Sequence, residues 1–191
     1  MSNVTTVKGE AIQAAPIAKF LFNDTRMAWL WLVLRVWLAL KWIDAASHKI
    51  DNPAWTQTGD ALKGFWSGIV QVPAEGRPPI SFDWYRTFIQ SLLDVEAYTW
   101  FAPLVAYGEY IIGIALLLGA FTGIAAFFGA FMNWNFMMAG SASSNPMLFV
   151  VAIGLLLAWK ISGLIGLDYF LLRKIGTPWR STQTAKEAGT A

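Results

Sequence analysis

Tyr98 to Leu118 is an unbroken apolar run with one charge in it, the carboxylate of Glu109. About 20 apolar residues is the length a helix needs to cross the ~30 Å hydrocarbon core of a bilayer. A carboxylate in the middle of such a run costs about 2.5–3.5 kcal/mol on insertion scales. Ala102, Ala106, Glu109 and Gly113 share one helical face, and small residues let helices approach closely in lipid. Glu109 is therefore expected to face protein. A second apolar run, Met27 to Ala46, carries Arg35 near its midpoint, on a face with Ala28, Ala39, Trp42 and Ala46. From the helix ends both charges lie ~12–14 Å deep, so the expectation is a buried Arg35–Glu109 pair. A guanidinium can grip a carboxylate bidentately.

Further runs at 124–139 and 147–167 complete the pattern. Only 14% of the 191 residues are charged and 56% are apolar, against about 25% charged in a soluble domain. The fold class expected is an all-α integral membrane protein, a bundle of four transmembrane helices at about 27–46, 98–118, 124–139 and 147–167. Residues 1–26 form an N-terminal segment, 27–172 the membrane domain, and 173–191 a polar tail that reads as disordered from Ser181 onward. Ile17 to Phe22 suits a short interfacial segment, and Asn23-Asp24-Thr25 offers helix caps. The connection 47–97 is too long for a bare loop. It reads as two interfacial helices, Trp55–Val70 and Phe82–Val95, parted by Val72-Pro73-Ala74-Glu75-Gly76-Arg77-Pro78-Pro79. Ala61, Leu62, Phe65, Trp66 and Ile69 line one side of the first, and Trp84, Phe88, Leu92 and Val95 one side of the second. The bland role for them is capping the bundle; the sharper one is a lid over a pocket.

Basic residues flank the outer ends of the first and fourth runs: Lys8, Lys19 and Arg26, then Arg173, Lys174, Arg180 and Lys186. The connection has four basic residues against six acids. The positive-inside rule then puts both termini in the cytoplasm and the connection outside, in a prokaryotic plasma membrane. The bilayer is one expected partner and other membrane subunits are another; the small net charge of +2 suggests no nucleic acid.

The chain has no cysteine and a single histidine, His48. Thiolate chemistry, bis-histidine haem ligation and a three-histidine metal site are excluded within it. No motif for a bound cofactor or metal is evident, though a quinone is compatible. Arg35 and Glu109, with Asn133 adding a hydrogen bond, form either a lock between helices or a site for a quinone head or proton transfer. Lys41, His48 and Lys49 cluster at the outer end of the first run, as an anchor or an anion site. Asn135 points about 200° away from Asn133 and so to a different neighbour. Lys160 is expected to snorkel from the end of the fourth run.

Arg35 with Lys49, Gly108-Glu109 with Gly113 and Leu118-Gly119, Ala125-Ala126, Met132-Asn133-Trp134-Asn135-Phe136, Asn145-Pro146 and Gly166-Leu167-Asp168 resemble the DoxX/DoxD family of small four-span membrane proteins. The resemblance covers about Arg35 to Asp168. One member type of that family is a subunit of a thiosulfate:quinone oxidoreductase, so the resemblance implies membrane redox work linked to quinone. As an enzyme the chain would be a quinone-dependent oxidoreductase subunit, with electrons supplied through a partner. The alternative is a non-catalytic accessory subunit of a larger respiratory or photosynthetic complex.

Overall fold

A computed structural model describes residues 4–5, 11–12 and 15–175. The tail expected from Ser181 onward, and most of segment 1–26 before Ala15, lie outside the described residues. Apart from a short antiparallel strand pair, β1 (Val4–Thr5) and β2 (Ala11–Ile12), the chain is helical.

α1 (Pro16–Asn23) starts on a proline, which fits the first helical turn because no backbone N–H is needed there. Asp24 follows and takes the role expected of it. Its carboxylate accepts from the Arg26 N–H at 2.9 Å and opens a single 3-10 turn that leads into α2 (Ala28–Ile50). Arg26 also pairs with the Asp24 side chain and holds its carboxyl down at about 2. α2 runs one turn beyond the expected end at Ala46, which brings Lys49 into the helix. Asn52 then caps α3 (Pro53–Thr56) by accepting from Ala54 N–H. α4 (Asp60–Ile69) and α5 (Asp83–Asp94) occupy the connection, and the proline-glycine stretch between them is not helical.

α6 (Tyr98–Leu118) closes on Gly119 in the left-handed region, at φ 65°. α7 (Thr122–Met138) and α8 (Asn145–Leu157) follow. The helix expected over 147–167 is instead broken. α8 stops at Leu157, a short α9 spans Trp159–Ser162, and 163–167 is a turn before α10 (Asp168–Ile175). The cause lies in Asp168. Its carboxylate accepts from the N–H groups of Phe121 (2.5 Å) and Thr122 (2.8 Å), capping α7 from another element. The chain must fold back to reach that position.

The long helices α2, α6, α7 and α8 pack around one core. Its lining mixes Leu38, Trp42, Leu116 and Leu155 with the alanines 39, 125, 126, 130 and 152. Close approach rests on glycine: a Cβ on Gly113 would lie 2.7 Å from Ile43, and one on Gly129 3.3 Å from Trp42 Nε1. The outer faces carry the bulk. Val33, Ile111, Ile124, Phe127 and Val150 are all more than half exposed. Large apolar side chains outside and small ones inside suit a hydrocarbon solvent. Taken alone, one helix among the described residues, Tyr98–Leu118, is long and apolar enough to cross a membrane.

A second core covers one end of these helices. Leu62, Trp66 and Ile69 of α4 pack there with Ile80, Tyr85, Ile89, Tyr98, Ala102 and Ala139. The connection thus caps the bundle. The expected stripe on α5 is corrected by one residue: Tyr85 and Ile89 are buried, while Trp84, Phe88 and Val95 are exposed and, of the expected stripe, Leu92 packs against the core. The Tyr85 hydroxyl donates to Asn135, meeting both its backbone and side-chain oxygens at 3.2 Å. That contact turns the helix about 100° from the expected face.

Candidate functional site

Arg35 and Glu109 are both buried, as expected, but they do not pair. Glu109 accepts from Lys49 Nζ at 2.6 Å, and its side chain is 1% exposed. Lys49 also donates to Ala45 O at 3.3 Å and lies 5.4 Å above the Trp55 ring. Arg35 donates from Nη2 to Ile165 O at 2.7 Å. The carboxylate acting on it electrostatically is Asp168. The depth argument failed because it set the ends of α2 and α6 level. They are not: the Arg35 guanidinium rests against Gly119, and Gly113 against Ala39 and Ile43. Gly119 is therefore tucked two turns inside the start of α2. Glu109, ten residues back along α6, sits ~15 Å from the Arg35 level.

The Arg35 end is a closed knot. A Cβ at Gly119 would overlap Arg35 Nη1, and one at Gly166 would lie 2.7 Å from it. Leu167 and Asp168 donate their N–H groups to the carbonyls of Leu118 and Gly119. Arg35 Nε and Nη1 are buried without a hydrogen-bond partner among the described residues. With glycine backbone packed against it, this guanidinium has no room for a ligand and serves as a clamp.

The Glu109 end opens. α6 and α7 share walls with α2, α4 and α5 around a half-open apolar cavity of about 1390 Å³, which reaches the outer face at Ile111 and Ile124. Lys49 and Glu109 supply its charged wall, and Trp42, Trp55, Trp66 and Tyr85 are among the aromatic residues beside them. The Lys49 side chain is 20% exposed, so the pair reaches toward the capped end. Asn135 also lines the cavity. Its side chain donates to Phe131 O and accepts from Tyr85, tying the α5 lid to α7. Burial pushes the Tyr85 phenol above its ordinary value of 10.0.

The remaining expected residues divide plainly. Asn133 is fully buried but bonds to neither Arg35 nor Glu109; its amide has no partner among the described residues. It lies one turn from Gly129, on the side toward the cap, as Glu109 does from Gly113. Lys41 is exposed at the cavity edge. His48 is exposed and only loosely opposite Asp44, at 3.9 Å; it takes no part in the site. Lys49, read as an anchor or an anion site, is the partner of Glu109. A signal for this was present: Lys49 lies three residues after Ala46 and continues the Arg35–Ala39–Trp42–Ala46 face. The Tyr85–Asn135 contact had no such signal.

A family model described as DoxX matches residues 30–140. The chain belongs to the DoxX family. The matched region holds Arg35, Lys49, Glu109, Asn133 and Asn135 and the cavity walls from α2 to α7. Asp168 and Ile165, which meet Arg35, fall beyond it. DoxX membership marks this as a membrane protein. No curated protein and no solved structure matches the chain.

Proposed function

We propose that this DoxX protein spans the bilayer four times and binds a quinone in the cavity between α6 and α7, as the membrane subunit of a quinone-linked redox system. One observation carries the reading: a buried carboxylate held by a partly exposed lysine forms part of the wall of a large aromatic-lined apolar cavity. Pockets of that kind, mostly apolar with a few convergent polar groups, bind ligands by burying an apolar body and orienting a polar head. The apolar ring and chain of a quinone suit the tryptophan and phenylalanine walls. A ring carbonyl accepts from Lys49 Nζ.

Reduction of a quinone to the quinol consumes two electrons and two protons. The Lys49–Glu109 pair can pass a proton to a carbonyl oxygen and be reprotonated through the partly exposed Lys49. The electrons come from a partner subunit; the donor class implied by the resemblance is a reduced sulfur compound such as thiosulfate. Both termini face the cytoplasm and the α3–α5 cap faces outward, in line with the flanking charges.

Extraction and quantitation of quinone from protein purified with its native lipids tests the reading. Quinone should be retained by the wild type and lost from Glu109→Gln and Lys49→Met proteins that remain folded. Retention by neither wild type nor variants, with recovery only inside a larger assembly, would favour the accessory-subunit reading.

A further inference from the structure

A second, smaller cleft lies on the other side of α7. It is about 360 Å³ in volume and lined by Gly123, Ile124, Phe127, Leu156 and Trp159, with no polar side chain. Ile124 and Phe127 are more than half exposed, so the cleft opens outward, toward the lipid. Gly123 forms its narrow point: a Cβ there would lie 3.0 Å from Trp159 Cβ. Lys160 follows Trp159 directly, and its Nζ stands 6.0 Å over the indole ring. Lys160 is only partly exposed and makes no ion pair among the described residues.

Basic residues outnumber acids at this end of the bundle. α10 begins at Asp168, which is bonded to the N–H groups of Phe121 and Thr122 beside Gly123, and it carries exposed Arg173 and Lys174. The acids at this end are already committed. Asp168 caps α7, and Asp24 pairs with Arg26. The exposed Phe170 and Ile175 share α10 with those basic residues, an arrangement that places a helix at the headgroup boundary. An acyl-chain cleft, an unpaired lysine next to it and a basic surround together describe one ligand.

We propose that this cleft is an anionic phospholipid site, with one acyl chain between α7 and the α8–α9 bend and the phosphate at Lys160. A zwitterionic lipid brings its own ammonium and gains little from a basic surround, whereas a phosphatidylglycerol-type head gains from each lysine or arginine at headgroup level.

The test uses the full chain in a neutral detergent, read by native mass spectrometry and by Tm. Phosphatidylglycerol, phosphatidylcholine with the same acyl chains, and inorganic phosphate are added separately. Phosphatidylglycerol should stay bound and raise Tm, and the other two should do neither. Lys160→Gln should weaken phosphatidylglycerol binding about fivefold. Leu156→Trp should block the cleft with Lys160 still in place, since Leu156 lines this cleft and not the larger cavity. Equal stabilisation by phosphatidylcholine would overturn the site, as would equal stabilisation by inorganic phosphate. Unchanged phosphatidylglycerol binding in both variants would do the same. Should Lys160→Gln fail to fold, the lipid comparison on the wild type and the Leu156→Trp result decide the matter.

Discussion

At the scale of single residues, the molecule separates two buried charges that look alike in sequence. Arg35 lies against glycine backbone and has no room for anything else. Glu109 borders a cavity and is held by a lysine that reaches partly into solvent. Breaking a buried pair by removing one partner leaves an uncompensated charge, at a cost of about 3–5 kcal/mol. Glu109→Gln or Lys49→Met alone should therefore destabilise the protein by about 3 kcal/mol. The double variant should recover part of that loss, which a double-mutant cycle in detergent would read as coupling. The parallel cycle on Arg35 and Glu109 should be additive, since those residues lie ~15 Å apart in level. Coupling in the second cycle and none in the first would reject the pairing described here.

At the scale of elements, α5 is attached to α7 through a polar latch. Tyr85 reaches across to Asn135 of α7, while Trp84 and Phe88 stay exposed on the other side of the lid. Tyr85→Phe keeps the ring and deletes the hydroxyl, at a cost of about 1 kcal/mol. Amide exchange should then quicken in α5 and leave α2 and α6 unchanged. The same latch should respond to pH. The folded state holds the Tyr85 proton more tightly than the unfolded chain. Its contribution is thus complete below pH 10 and is lost as pH rises through the raised pKa. Wild-type α5 should loosen in strong alkali, with Tyr85→Phe showing no such step. An identical alkaline step in both proteins would place its origin elsewhere.

At the scale of the whole molecule, the bundle has two unlike ends. One carries the α3–α5 cap, whose surface mixes Asp51, Asp60, Glu75, Asp83 and Asp94 with Lys63 and Arg77. The other carries Lys19, Arg26, Arg173 and Lys174 together with Asp24 and Asp168. Along the sequence, seven basic residues flank the first and fourth runs against four in the connection, and that difference supports the proposed orientation. Because the native chain has no cysteine, single cysteines can be introduced without background. In intact cells an impermeant thiol reagent should label Glu75→Cys and spare Lys174→Cys. The reverse pattern would invert the topology, and labelling of both would place the two ends on the same side.

Much of this could be read along the chain because burial in a helix repeats with a short period. The small-residue faces through Arg35, Glu109 and Asn133 are the buried faces, since a bulky or charged side chain tolerates only one side of a membrane helix. The Asp24 cap and the break at the prolines of 73–79 depend on near neighbours, and were legible for that reason. What remained hidden depended on offsets between distant segments. The axial shift of α2 against α6 is set by which glycines meet Ile43 and Arg35, and it decides that Glu109 meets Lys49. The rotation of α5 is set by Tyr85 and Ile89 packing against Ile80, Tyr98 and Ala139, with the Tyr85 hydroxyl reaching α7. The break after Leu157 follows from Asp168 capping α7, more than forty residues earlier in the chain. Helical periodicity assigns each residue a face and carries no measure of how far one helix slides along another. That displacement exists only once the helices are packed.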